Sequence, residues 1–213
     1  MQLRVACGVL LTLVPLGSWA GPNWVTWRDL DGDGAAERIT FNPQAAYAVT
    51  VRSSDGRRGH AVPKRWQPWK AMLADADGNG RMEIAVGVDK STRYIPRRHR
   101  CLFLYRWRRG SLEPVWLGSA LSRPFSDFAF ALPLNGRAWP LYAVEATPTG
   151  KQALAEYAWN GFGFTLKERR GEWRTARILA AGRNDLTLSA DGRTMRVPRR
   201  PGQSATRKEV FKR

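Results

Sequence analysis

The chain has 213 residues, with 35 Lys and Arg against 18 Asp and Glu, for a formal charge of +17. That length suits one ordinary domain able to bury a real core. The charge predicts attraction to anionic surfaces: lipopolysaccharide, anionic lipid headgroups, nucleic acid or acidic polysaccharide. Arginine supplies 28 of the 35 cations, a bias that often reflects genome composition, so the net charge and not the arginine share supports this expectation.

Residues 1–20 read as a secretory leader: a positive start at Arg4, an apolar run VACGVLLTLVPLG, and SWA before Gly21. The apolar run is too short to span a bilayer, and no later stretch approaches that length. The mature chain is therefore expected to be secreted or periplasmic. Only Cys101 would remain in it, which excludes an internal disulfide. Lying in CLFLYRW, Cys101 reads as a buried structural thiol.

From residue 21 the pattern is of short strands. They are expected at Arg38–Phe41, Tyr47–Val51, Met82–Val86, Cys101–Tyr105, Leu141–Val144, Leu154–Trp159 and Phe162–Leu166. Turn signals stand between them at Asp55-Gly56, Arg109-Gly110, Asn135-Gly136, Asn160-Gly161 and Asp191-Gly192. No long apolar stripe of helical period occurs, so the chain reads as nearly all β.

One motif repeats within this series. Asp29, Asp31, Asp33, Gly34 and Glu37 in DLDGDGAAERITF return 46 residues later as Asp75, Asp77, Asn79, Gly80 and Glu83 in DADGNGRMEIAV. Trp24 and Trp27 precede the first copy, Trp66 and Trp69 the second. A decayed third copy lies at ALPLNGRAWPLYAV, where Ala131, Pro133 and Trp139 stand at acidic positions. A period of this length is that of a propeller blade. Four units are expected, at about 22–66, 67–119, 120–170 and a shorter 171–200. The domain would span 21–200, with a basic mobile tail over 201–213, inside the polar run that opens at Arg199.

Carboxylates at positions 1, 3 and 5 of a tight turn, with Gly at 6, present hard oxygen ligands suited to calcium. Position 12 is Thr40 or Val86, so this is not the EF-hand pattern, and strands follow instead of helices. The form D-x-[DN]-x-[DN]-G-x-x-E at blade spacing resembles the FG-GAP/VCBS repeat family. The resemblance covers the two loops and their flanking strands, about a third of the chain. It implies a β-propeller and two structural calcium ions. One would be held by Asp29, Asp31, Asp33 and Glu37, the other by Asp75, Asp77, Asn79 and Glu83. The backbone carbonyls of Ala35 and Arg81 would complete the two sites. Three units and a part fall short of the family's usual seven, which leaves a small closed propeller or a partial one completed by oligomerisation.

Signs of catalysis are sparse, and the sequence leans away from an enzyme. His60 and His99 sit among arginines and read as solvated loop histidines. Ser126-Asp127 lacks a nucleophile elbow, and no P-loop, dinucleotide fingerprint or Cys/His cluster occurs. The segment from Lys90 to Arg100 stands out, with Lys90, Arg93, Arg97, Arg98 and Arg100 around Tyr94. Cations beside an aromatic ring could grip a phosphate-bearing chain. The nine tryptophans from Trp24 to Trp173 recur near strand ends, as expected for packing between blades. The expected function is a secreted, calcium-stabilised binding or scaffold module for an anionic partner, without a specific nucleic-acid site. A hydrolase of polysaccharide or phosphoester on the same scaffold is one alternative. A self-assembling subunit, or another protein partner, is the other.

Overall fold

The computed structural model of the chain describes residues 23–199. The expected leader at 1–20 and tail at 201–213 lie outside them. Among these described residues fifteen strands form four antiparallel sheets, each a meander in chain order. The first sheet holds β1 (Trp24–Arg28), β2 (Glu37–Phe41), β3 (Tyr47–Arg52) and β4 (Arg58–Pro63). The second holds β5 (Pro68–Ala74), β6 (Glu83–Lys90), β7 (His99–Arg108) and β8 (Ser111–Gly118). The third holds β9 (Phe125–Phe130), β10 (Leu141–Ala146), β11 (Gln152–Trp159) and β12 (Phe164–Trp173). The last has only β13 (Ala176–Ala181), β14 (Asp185–Ala190) and β15 (Arg193–Pro198). The sheets are the blades of a four-bladed β-propeller. A 3-10 turn, Lys64–Trp66, links the first two.

Burial explains which strands are visible in the sequence. The middle of β6, Ile84–Val88, and the middle of β7 are apolar because both faces are covered. Ile84, Val86, Val88, Phe103 and Trp107 pack with Ile39, Phe41, Val49 and Val51 of the first blade. Ala85, Leu102 and Leu104 turn the other way, into a core shared with Phe128, Phe130 and Tyr142 of the third blade and Ile178 and Leu188 of the fourth. The outer strand β8 and the end strand β15 are largely exposed, which hides them from a search for apolar pattern. Phe162 is a correction: it is 89% exposed in the turn before β12 and donates its N–H to Asn160 Oδ1.

The end blades differ from the middle ones. Among the described residues, no core cluster joins the first sheet to the fourth. β14 buries alternate residues only, Leu186, Leu188 and Ala190, and β2 behaves similarly. Each end blade therefore keeps one face outside the core. Arg199, expected to open the mobile run, is instead buried. Its Nε donates to Tyr142 Oη at 2.9 Å and its Nη1 to the carbonyls of Leu132, Gly182 and Arg183, tying the third blade to the fourth.

Some tryptophans pack between blades, while Trp24 lies near Phe41 and Trp159 near Phe164 within their own blades. Trp116 stands edge-on to Phe164 of the third blade at 5.0 Å between ring centres, and Trp69 likewise to Phe128 at 5.5 Å. Trp27 is the exposed one, 58% accessible on β1.

Candidate metal centres and a basic face

The acidic motifs form the β1–β2 and β5–β6 loops. Both are folded by their own side chains before any ion is considered. Asp29 Oδ2 accepts from Gly34 N at 2.9 Å, and Asp75 Oδ2 from Gly80 N at the same distance. Asp33 Oδ1 accepts from Ala35 N, and Asn79 Oδ1 from Arg81 N. Glu37 reaches across its loop to the N–H of Leu30, and Glu83 to that of Ala76. Gly34 and Gly80 have φ of +87° and +88°, which a side chain would strain. The D-x-[DN]-x-[DN]-G spacing is thus partly a description of a hydrogen-bonded turn.

The turn leaves oxygens over. Asp29, Asp31 and Glu37 each bring one carboxylate oxygen within 4.8 Å of the others, and so do Asp75, Asp77 and Glu83. Asp31 Oδ1 and Asp75 Oδ1 are buried without a hydrogen-bond partner. A cation supplies what such atoms lack, and the donor set, all carboxylate, suits a hard one. Asp33 stands outside the first trio, with Oδ1 drawn back onto Ala35 N. Burial pushes Glu37 above the usual carboxylate range, the Leu30 N–H pulls it down, and Asp31 and Asp33 push it up again. Asp29, Asp31 and Glu37 have no ion-pair partner among the described residues, though Arg57 lies in the field of Asp31 and Asp33, so the trio gains by binding a cation.

The second loop differs, in a way invisible to the motif. Arg106 on β7 donates to Glu83 Oε1 at 2.7 and 3.1 Å and to Asp77 Oδ2 at 2.6 Å. The ladder pairs Ile84 with Tyr105, which places Arg106 opposite Glu83. In the first blade Arg38 pairs with Arg52, so Ser53 falls opposite Glu37. One loop has its carboxylates in direct ion pairs with a cation of the chain, and the trio of the other has no such pair among the described residues. Burial still raises Glu83, against the pull of Arg106. In the third blade Trp139 replaces the glutamate, and with Trp159 it lines a cavity of about 290 Å³.

The loops pack on one another at one end of the propeller. The Arg81 guanidinium lies against Gly32 of the first loop. Trp139 donates its N–H to the carbonyl of Asp75 at 2.8 Å, which seats the decayed third loop on the second. Stiffening one loop therefore braces its neighbours.

The segment from Lys90 to Arg100 joins β6 to β7 at the opposite end. Lys90 lies over Trp66 at 4.9 Å and Arg100 over Trp69 at 4.4 Å. Arg98 is held by Asp89, Nε to Oδ1 at 3.5 Å. Arg93 and Arg97 have no ion-pair partner among the described residues, and Tyr94 is 81% exposed. The segment is thus half structural and half free.

The sequence reading missed a second basic surface. Across the first blade the ladder sets Trp27 opposite Arg38, Arg38 opposite Arg52, and Arg52 opposite Arg58. All four side chains are exposed on the face turned away from the core. Arg38 lies 6.0 Å from the Trp27 ring. None of the three arginines has an ion-pair partner among the described residues. In the next row His60 stacks on Tyr47 and meets Thr50. His60 is therefore a strand residue and not a loop one. His99 opens β7, half-buried, against the carbonyls of Ser119 and Arg97. Ser126 Oγ donates to Val144 O, and Asp127 pairs with Lys70, so this serine and aspartate serve packing. Cys101 is buried, its thiol pushed up to about 11.

No protein-family model matches the chain, and no curated protein matches it. Among solved structures it is similar to one described as a Xanthomonas type IV secretion system related protein, at 12% identity. The likeness covers 84% of this chain and 90% of that one, with a TM-score of 0.26. No helix among the described residues is long and apolar enough to cross a membrane.

Proposed function

We propose that the chain is an exported, calcium-stabilised β-propeller of the FG-GAP/VCBS type that binds an anionic polymer through its basic first blade. The observation that carries this is the row Trp27, Arg38, Arg52, Arg58. Like charges set directly opposite each other destabilise a sheet. Three arginines across three strands, with no carboxylate among them, weaken the blade unless an anion joins them. Adjacent strands lie about 4.8 Å apart, so the row offers cations over about 10 Å. A flat indole beside them adds a stacking surface for a sugar ring.

Calcium acts at the same end of the blade, in the loop that Arg28 and Glu37 close one ladder pair beyond Trp27 and Arg38. By neutralising Asp29, Asp31 and Glu37 it fixes the turn that aligns β1 with β2, and so the offset of Trp27 from Arg38. The basic row also disfavours closure by a second copy. On the outward face of the fourth blade Arg177 is unpaired among the described residues while Arg196 pairs with Asp185 at 3.9 Å, so that face offers little acid to complement the row.

The test is retention on heparin in a salt gradient. Each lost contact lowers the slope of log affinity against log salt by about 0.9. Arg38→Ser/Arg52→Ser/Arg58→Ser should therefore elute earlier, with the slope reduced by about 2 to 3. The control Arg108→Ser/Arg109→Ser/Lys167→Ser removes the same charge from other exposed sites. Equal elution of the two triple variants would overturn the assignment of the row.

A further inference from the structure

The first strands of the second, third and fourth blades begin together, at the end of the propeller remote from the acidic loops. β5, β9 and β13 start at Pro68, Phe125 and Ala176, and all run toward the loop end. Lys70 lies five residues before Asp75, about 16 Å along an extended chain. A cavity of about 390 Å³ opens among these starts, lined by Trp69, Lys70, Arg100, Asp127, Gln152 and Arg177.

Its walls are built and charged. Lys70 is only 5% exposed, and its Nζ donates to Asp127 Oδ1 at 2.7 Å. Asp127 is fully engaged: Oδ1 also accepts from Phe128 N, and Oδ2 from Ile178 N of the fourth blade, both at 2.9 Å. The ammonium has three donors, of which this pair uses one. Arg100 rests on the Trp69 ring at 4.4 Å, so its stem and plane are held. Neither Arg100 nor Arg177 has a carboxylate partner among the described residues. Gln152 is fixed as well, by Ser126 and by the N–H of Ala176. Burial lowers the pKa of Lys70, Asp127 raises it, and Arg177 and Arg100 lower it again. Each cation therefore stands in the field of the others.

The charge selects the ligand. Asp127 cancels Lys70, and the two guanidinium groups remain, a local charge of two. A carboxylate or sulfate ester brings one negative charge. A phosphate monoester brings about −1.5 to −2 at neutral pH and three acceptor oxygens. We propose that this cavity binds a phosphate monoester, with Arg100 and Arg177 on its oxygens and the spare donors of Lys70 at the base. A cavity of this size falls within the range of small-ligand sites, about 300–1,000 Å³, so it has room for the sugar or glycerol carrying the phosphate. The proposal rests on the reading that the chain binds anions, but it places a discrete site away from the arginine row.

Calorimetric titration of the full chain with glucose 6-phosphate, inorganic phosphate and glucose 6-sulfate tests it. The phosphoester should bind saturably at pH 7.5 and more weakly as the pH falls through its second ionisation near 6. The sulfate, a monoanion, should bind about tenfold more weakly. Arg177→Gln and Arg100→Gln, both at exposed positions, should each weaken the phosphoester about tenfold with the melting temperature unchanged. Vesicles containing phosphatidic acid separate the sources: binding that depends on Arg177 marks a lipid headgroup, and binding of the sugar phosphate alone marks a soluble one. Unchanged affinity in both arginine variants, or equal affinity for sulfate and phosphate, overturns the proposal. If heparin is retained through the Arg38 row while no phosphoester titrates, the cavity assignment falls and the wider reading stands. The converse result upholds the cavity and removes the row.

Discussion

Replacing Arg106 with glutamine strips the second acidic loop of its own cation. Glu83 is fully buried, and Arg106 is its only basic hydrogen-bond partner among the described residues. Removing one member of a buried ion pair costs about 3–5 kcal/mol. Arg106 keeps 27% of its side-chain surface exposed, so the lower end, about 3 kcal/mol, applies. In a chain of this size 1 kcal/mol moves the melting temperature by about 2–4 °C. The Arg106→Gln protein should then melt about 6–12 °C below the parent in chelator. Calcium at a hundred times its dissociation constant returns about 2.7 kcal/mol, because the emptied loop then offers Asp75, Asp77 and Glu83 without competition. The assay is a melt of both proteins, by circular dichroism, in chelator and in calcium. A variant that melts with the parent in chelator refutes the energetic role of the pair. One that stays equally depressed in calcium refutes the loop as a cation site.

Other outcomes follow from the packing. A Cβ on Gly78 would lie 2.6 Å from the backbone N of Ala138, at φ +77°, whereas one on Gly80 meets nothing within 4 Å. Gly80→Ala should cost only the left-handed strain, about 1–2 kcal/mol, and Gly78→Ala clearly more, read by urea denaturation; equal losses would contradict the seating of the third loop on the second. The Cys101 thiol, pushed up to about 11 from 9.0 by burial, should alkylate at pH 8 about a hundredfold more slowly than the unfolded chain. Since its folded value is the higher, the stability it contributes is full below pH 9 and is lost as the pH rises through 11; rapid labelling at pH 8 without unfolding would exclude a buried thiol. Trp27→Ser should leave the melting temperature within about 1 °C, because Trp27 adds no core, yet advance elution from heparin; unchanged elution would remove the indole from the binding surface.

The propeller was legible because its central strands bury both faces and its loops repeat. The sheet of β6 and β7 could be read from apolar runs alone, and Gly34 and Gly80 marked the turns. β8 and β15 could not, since exposed strands carry no apolar signal. The acidic positions were also legible as a set, but not their division of labour. Asp33 and Asn79 fold the turn, Glu37 and Glu83 clamp it, and only the leftover oxygens face a cation. Arg106 and Ser53 were hidden because each sits opposite its glutamate by strand register, 23 and 16 residues away. The arginine row was hidden for the same reason. Arg38, Arg52 and Arg58 look like scattered surface charges until the ladder sets them side by side. The compact segment from Lys90 to Arg100 drew notice instead, though Lys90 and Arg98 are held by Trp66 and Asp89 and Arg100 turns its plane onto Trp69.

The central claim is that the two acidic loops are cation staples on which the basic surface depends. It is tested most directly by a calcium titration of the melting temperature, in the parent and in the Asp31→Asn/Asp75→Asn protein, which keeps the loop hydrogen bonds of Asp29 and Glu37. The account predicts a melting point that rises with calcium and falls back with chelator in the parent, by about 5–11 °C when one site is saturated a hundredfold, and a flat response in the double variant. A parent whose melting temperature ignores calcium would contradict it.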